Sequence, residues 1–153
     1  CSLVLREGAG RVSAQSMKWG FPGYQGGRLL INARSETALE RRTFREDVLH
    51  RRCVIPARGF YEWDREKKMV TFYGGILFLA GCYHCFGEQD QFVILTTQAN
   101  ESVAPVHERM PLILETEEVG PWLFDGGAAQ GLLHKKPRLL ERSGRYEQMS
   151  LFT

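Results

Sequence analysis

The sequence predicts an α+β domain: one strongly curved, mainly antiparallel, barrel-like sheet with short helices outside it. Its apolar residues fall largely in short runs rich in β-branched and aromatic side chains, separated by tight turns or charged stretches. Helix-start signals occur only at short segments, which leaves the sheet as the dominant element. At 153 residues the chain is a single domain, long enough to bury a real core.

In chain order, residues 29–31 read as a short strand ending at Asn32. Thr43 and Glu46 have the spacing of a capping box, and the apolar Val48 and Leu49 that follow predict a short helix ending near Arg51 and Arg52. A series of strands then covers residues 53–55, 60–63, 69–73, 76–86 and 92–97, with hairpin loops at 64–68 and 87–90. Residues 111–114 give one more strand. Thr116-Glu117-Glu118 opens a helix leading to Trp122 and Leu123, and a weaker helix covers 128–133. After Arg142 the composition turns polar, so residues 1–142 are expected to form the domain and 143–153 a tail. There is no internal repeat and no low-complexity linker.

Composition narrows the classes. The 43% hydrophobic and 25% charged fractions are those of an ordinary soluble globular protein. No apolar run approaches the roughly 20 residues of a membrane helix, and no signal-peptide pattern opens the chain, so no membrane role is expected. A net charge of +2 neither requires nor excludes nucleic acid as a partner, because what matters is whether the arginines share a face. Four cysteines without a secretion signal point to reduced thiols in a cytoplasm.

Cys1 carries the most specific chemistry. An amino-terminal cysteine holds a free α-amine and a thiol on adjacent carbons. An aldehyde condenses with the amine to an imine, and the thiolate then closes a thiazolidine ring. An α-amine titrates near neutral pH, so much of it is nucleophilic there. An internal cysteine has no such amine. Removal of an initiator methionine is expected to expose Cys1; the bland alternative is that the sequence merely starts at this residue.

Three polar clusters adjoin predicted strands. They are Asn32-Ala33-Arg34-Ser35-Glu36-Thr37, Gly59-Phe60-Tyr61-Glu62-Trp63, and His107-Glu108-Arg109-Met110-Pro111. Each has a plain alternative. Glu62 reads equally as the solvent-facing member of an amphipathic strand, His107 as an idle loop histidine, and Asn32 as a turn residue.

Together with Trp19-Gly20, the run from Arg52 to Trp63, Ala80-Gly81 and Leu95-Thr96-Thr97-Gln98-Ala99-Asn100, these clusters resemble the SRAP (SOS response-associated peptidase) family, whose members shield abasic sites in single-stranded DNA. The resemblance spans about residues 19–123 in the family's order. It implies an SRAP-like fold and a covalent, suicide-type crosslink: the open abasic sugar is an aldehyde, which Cys1 traps as a thiazolidine. The roles it implies are Asn32 positioning Cys1 and the sugar, Glu62 as the acid–base carboxylate, and His107 bonding the opened sugar hydroxyl and assisting proton transfer. A carboxyl between Tyr61 and Trp63 suits that task if the site is desolvated. Arg34 and Arg109 would grip phosphates, and Trp19 would stack on a base beside the lesion. No cofactor and no metal are expected, and the protein is expected to act as a bacterial or phage-borne monomer, nucleoid-associated at damage sites.

The chain departs from the family in opening Cys1-Ser2-Leu3-Val4 rather than cysteine-glycine-arginine-aromatic. The stretch from Cys1 to Trp19 is also short, which predicts weakened DNA affinity and an incompletely closed sheet. Cys82-Tyr83-His84-Cys85 has the spacing of a redox pair or half a zinc site. No second pair accompanies it, and strand positions three apart face opposite ways, so Cys82 is read as a core residue. In the tail, Gln148, Leu151 and Phe152 resemble the peptides with which bacterial repair proteins dock on the replication sliding clamp. The alternative is that the Leu-Phe pair packs onto its own domain. Two other functions stay open: a thiol peptidase with Cys1 as nucleophile and His107 as base, and a non-covalent DNA-binding module.

Overall fold

The computed structural model describes residues 1–144, which form nine strands and three short α-helices. Strands β1 (Ser2–Gly8) and β2 (Arg11–Trp19) make a hairpin, and β3 (Asn32–Arg34) and helix α1 (Arg45–His50) follow. Strands β4 (Arg52–Trp63) and β5 (Met69–Phe86) form a long second hairpin, which leads into β6 (Gln89–Gln98). Then come β7 (Arg109–Pro111), β8 (Ile113–Leu114), helices α2 (Thr116–Phe124) and α3 (Gly126–Leu132), and β9 (Glu141–Gly144).

The sheet closes into a ring. β6 pairs with β2, β2 with β1, β1 with β4, β4 with β5, and β5 returns to β6. All of these contacts are antiparallel except β2–β6. The short Cys1–Trp19 stretch, expected to leave the sheet open, therefore supplies the two strands that close it. Its chain reverses through Ala9 and Gly10, both at positive φ (51° and 76°), which matches the twist of a tight hairpin.

Alternation along the strands sorts two cores. Val4, Met17, Cys53, Ile55, Phe72, Leu77, Leu79, Tyr83, Phe92 and Ile94 fill the barrel interior. Val54, Ala80, Cys82, Val93 and Leu95 point outward beneath the helices, against Val48, Trp122, Leu123 and Leu133. Trp122 is fully buried, and its indole N–H donates to the Cys53 carbonyl (2.9 Å). Arg52 ties both helix ends to the barrel, donating to the carbonyls of Val48, Leu49 and Trp122. Its burial beside those carbonyls pushes the guanidinium below its usual range.

Several expectations are corrected. The strand expected at 29–31 begins at Asn32; Leu30 makes only an isolated bridge to Phe21, and pairing along β6 starts at Ile94. Thr43 is not a helix cap: α1 begins at Arg45 after a turn closed by bonds to the Arg41 carbonyl, while Phe44 packs on the Phe21 ring. The capping box lies instead at Glu115 and Glu118, heading α2. The expected strands 53–55 and 60–63 are one strand, as are 69–73 and 76–86, joined through an irregularity between Ala57 and Gly59. Ser143 and Gly144, expected in the tail, pair with Thr71 and Val70. The Gln148–Phe152 segment lies outside the described residues.

Candidate functional site

The irregularity in β4–β5 decides which way Glu62 faces. From Cys53 to Ala57 the odd-numbered residues point into the barrel, and continuing that alternation would put Glu62 outside. Between the pairs Ala57–Leu77 and Gly59–Tyr73, β5 carries more residues than β4, and the register shifts. Gly75 accommodates the bulge at φ 71°, and Gly59 lies so close to β5 that a Cβ there would stand 2.5 Å from the Phe72 carbonyl oxygen. Beyond the bulge, Phe60 stacks on buried Phe72 (5.2 Å between centroids), and Glu62 shares that inward face, paired with Val70. Tyr61 and Trp63 point the opposite way and are exposed. They do not enclose the carboxylate as expected, and Glu62 is not the solvent-facing member of its strand.

His107 arrives from the opposite lobe. The segment between β6 and β7 folds as a pair of tight turns: the amides of Val103 and Ala104 bond the Asn100 carbonyl, and those of Val106 and His107 bond the Val103 carbonyl. His107 Nε2 then lies 3.8 Å from Glu62 Oε2. The other ring nitrogen, Nδ1, sits 3.1 Å from both the amide and the carbonyl of Arg109. Nδ1 accepts from the Arg109 amide in one neutral tautomer and donates to the Arg109 carbonyl in the other, so the backbone of this residue satisfies either. When the ring is protonated, the Arg109 carbonyl accepts from Nδ1. The side chains of Glu62 and His107 are 30% and 39% exposed, open to solvent and to a ligand.

Asn32 opens β3 beside Ile94 and is exposed. Trp19 is held next to it: its indole N–H donates to the Ile31 carbonyl (2.9 Å), and its ring lies parallel to Phe92 with centroids 6.3 Å apart. Cys1, also exposed, precedes β1, whose Ser2 pairs with Met17 two residues before Trp19. β1 begins where β2, β4 and β6 end, which puts Cys1, Trp19, Glu62 and the His107 loop toward one end of the barrel, while Asn32 starts β3 beside the middle of β6. The opposite end is occupied by a polar network in which Arg6 lies over Tyr83 and bonds Gln15, which donates to Asp90.

The two arginines differ. Arg34 is exposed and makes no side-chain hydrogen bond or ion pair among the described residues. Arg109, expected at a phosphate, instead turns its fork onto Glu36, with bonds of 3.0 and 2.9 Å, and donates to the carbonyl and hydroxyl of Thr96. Burial alone would raise the Glu36 carboxyl. The hydrogen bonds and charge of Arg109, with the Thr97 hydroxyl, hold it below its usual range. Sequence reading missed this pair because the partners are far apart in the chain. It missed the outward Tyr61–Trp63 pair, packed edge to face at 6.4 Å, because alternation alone gives the wrong face.

Cys82 is buried and Cys85 exposed, as the strand argument required. Burial pushes the Cys53 and Cys82 thiols far up, which makes them inert packing groups. His84 is engaged by buried Asp47 (2.9 Å), which also binds Arg51.

The described residues form a closed barrel that carries a carboxylate–histidine pair, two groups able to give and take protons, and an exposed Cys1. The model of the SOS response associated peptidase (SRAP) family matches residues 1–147, and the chain belongs to that family. Abasic site processing protein YoaM of Bacillus subtilis is 36% identical over 109 residues, covering 63% of this chain and 48% of that protein. Abasic site processing protein YedK of Escherichia coli is 32% identical over 132 residues, covering 79% and 60%. The chain thus spans about half to three-fifths of the length of these curated relatives. Among solved structures, a phage-related protein of Bordetella bronchiseptica superposes with a TM-score of 0.80 at 21% identity, covering 94% of this chain and 76% of that one. A Bacteroides thetaiotaomicron protein gives 0.75 at 22% identity, covering 97% and 75%. These two likenesses bear on the fold alone, and the fold is the curved α+β sheet that the sequence predicted.

Proposed function

We propose that this protein traps abasic sites in single-stranded DNA covalently through Cys1, as part of a DNA-damage response. The observation that carries the reading is the Glu62–His107 pair, 3.8 Å apart at the barrel end where Cys1 lies. The Cys1 amine attacks the aldehyde carbon of the opened sugar, giving a carbinolamine. A proton delivered to its hydroxyl releases water and leaves an imine. The thiol then adds across the C=N bond, sulfur to carbon and proton to nitrogen, closing the thiazolidine with loss of one water overall. Glu62 and His107 exchange the protons these steps require, Asn32 orients Cys1 and the sugar, and His107 bonds the sugar hydroxyl. Relatives named abasic site processing proteins support the substrate class.

Trp19, fixed by its indole bond yet 45% exposed, provides a face for the base beside the lesion. Arg34 contacts a phosphate. Arg109, already committed to Glu36, serves chiefly to hold β7 against β3. The tail from Gln148 to Phe152 recruits the protein to a sliding clamp at exposed single strands in the nucleoid.

The direct test is incubation with an oligonucleotide bearing one abasic site. An adduct at the mass of protein plus DNA minus one water supports the reading. Binding without any adduct returns the protein to the non-covalent DNA-binding class.

A further inference from the structure

We infer that Asn100 is a positioning residue for the Glu62–His107 pair, acting through Ser102 and Arg138; this rests on reading that pair as the proton-handling machinery. Asn100 is 2% exposed, and every polar atom of its side chain is engaged. Its Nδ2 donates to the carbonyls of Pro137 (3.0 Å) and Arg138 (2.9 Å). Its Oδ1 accepts from the Ser102 amide (3.0 Å) and hydroxyl (2.5 Å). The partners fix the amide's orientation, since carbonyls only accept and an amide N–H only donates. The Ser102 hydroxyl accepts in turn from the Leu140 amide (3.0 Å).

These bonds run in two directions from one buried side chain. Toward the site, the Asn100 backbone carbonyl starts the turns that end at His107, and the bond from the Ala99 amide to the Glu108 carbonyl (2.9 Å) closes the loop around them. Away from it, Asn100 grips the main chain of Arg138, whose guanidinium donates to the carbonyls of Gly74 (2.7 Å) and Ile76 (3.3 Å) and pairs with Glu115. Gly74 and Ile76 lie on either side of Gly75 within the bulge that turns Glu62 inward. One continuous set of hydrogen bonds thus joins the loop presenting His107 to the irregularity presenting Glu62. Strand ladders connect the regions nearby, since β8 follows β7 after one residue and pairs with Phe78 and Leu79, but among the described residues no strand pairing reaches Gly74, Gly75 and Ile76 themselves. Where the ladders lapse, this side-chain brace holds the bulge against the loop and so bears on the separation of the two groups, to which proton transfer is sensitive.

The decisive variant is Asn100→Asp. It keeps the shape and the bonds from Ser102 but turns a carboxylate oxygen toward two carbonyls, which forces the brace apart. Ser102→Ala and Arg138→Lys loosen it at other points. Each variant is compared with the unmodified protein and with Glu62→Gln in three measurements. These are crosslinking rate against pH with an abasic oligonucleotide, affinity for the same oligonucleotide carrying a tetrahydrofuran in place of the aldehyde sugar, and thermal unfolding. Asn100→Asp is expected to bind the unreactive DNA within about twofold and to crosslink roughly ten- to a hundredfold more slowly, with a displaced pH profile. The other two variants should fall in the same direction by less, and they carry the test if Asn100→Asp does not fold. An unchanged rate and profile, or a loss that follows only the unfolded fraction with the profile unchanged, overturns the inference. If Glu62→Gln also crosslinks at the full rate, the reading of the pair itself has failed; if Glu62→Gln is slow while the brace variants are not, only the brace is wrong.

Discussion

Glu62 and His107 face each other across the barrel mouth at 3.8 Å, one on β4 and the other on the loop between β6 and β7. The pairing depends on a bulge on one side and a pair of turns on the other. The backbone of Arg109 presents both an amide and a carbonyl to the far ring nitrogen, which holds the imidazole plane in either tautomer.

Replacing Glu62 by Gln keeps the side chain's shape and removes its proton traffic. Adduct formation should slow by about 10²–10⁴-fold while affinity for abasic single-stranded DNA changes little. Rates from quenched gel assays, set beside affinities for an unreactive analogue, separate the two. Equal losses in both would make Glu62 a binding or folding residue.

Arg34 and Arg109 should behave differently in salt. Arg34→Ala is expected to weaken DNA binding and to reduce the slope of log affinity against log salt by about one, because one phosphate contact and its released counterion are lost. Arg109→Ala should change the slope much less and lower the melting temperature instead, since it removes the charged partner of Glu36 and two bonds to Thr96. A salt slope unaffected by Arg34→Ala removes that residue from the phosphate grip.

The Glu36–Arg109 pair also predicts an acid dependence of stability. The Glu36 carboxyl is held below its ordinary value of 4.5 in the folded chain, so its contribution is complete above that value and fades as pH falls through the lower folded one. Solvent reaches much of Glu36, which limits the effect to about 0.5–1 kcal/mol. Melting curves of the native protein and Glu36→Gln should differ most near neutral pH and converge in strong acid. A gap that widens on acidification would give the pair the wrong sign.

A peptide spanning Gln148 to Phe152 should bind a bacterial sliding clamp with micromolar affinity. Burying its leucine and phenylalanine contributes about 3–6 kcal/mol before ordering costs, enough for a transient dock. Absence of binding in a calorimetric titration at high micromolar concentration would retire the clamp as a partner.

Much of the barrel was legible because its strands advertise themselves. Val54 and Cys53 point to opposite faces as simple alternation requires, and the hairpin at 64–68 lies where the charged residues predict it. The β1–β2 hairpin was not legible, because Ser13, Ala14 and Ser16 dilute its apolar pattern and several of its side chains face solvent. The direction of Glu62 was hidden for a different reason. Gly59, Gly74 and Gly75 mark a place where alternation is broken, but only the paired strand tells how many residues the bulge inserts. The pairing of Arg109 was not legible either, because its partner Glu36 stands 73 residues earlier in the chain. Asn100 gave no chemical signal at all, since a fully satisfied buried amide looks like any loop asparagine until its partners are placed.

The most direct measurement concerns the Cys1 amine. The protein beginning at Cys1, and the same protein with one residue added ahead of it, are each incubated with a single-stranded oligonucleotide bearing one abasic site and examined by intact-mass spectrometry. The first is expected to give a stable adduct lighter by one water than the sum of its parts, and the second to bind DNA without forming it. An extended protein that crosslinks as fast and as stably as the original contradicts thiazolidine formation at Cys1.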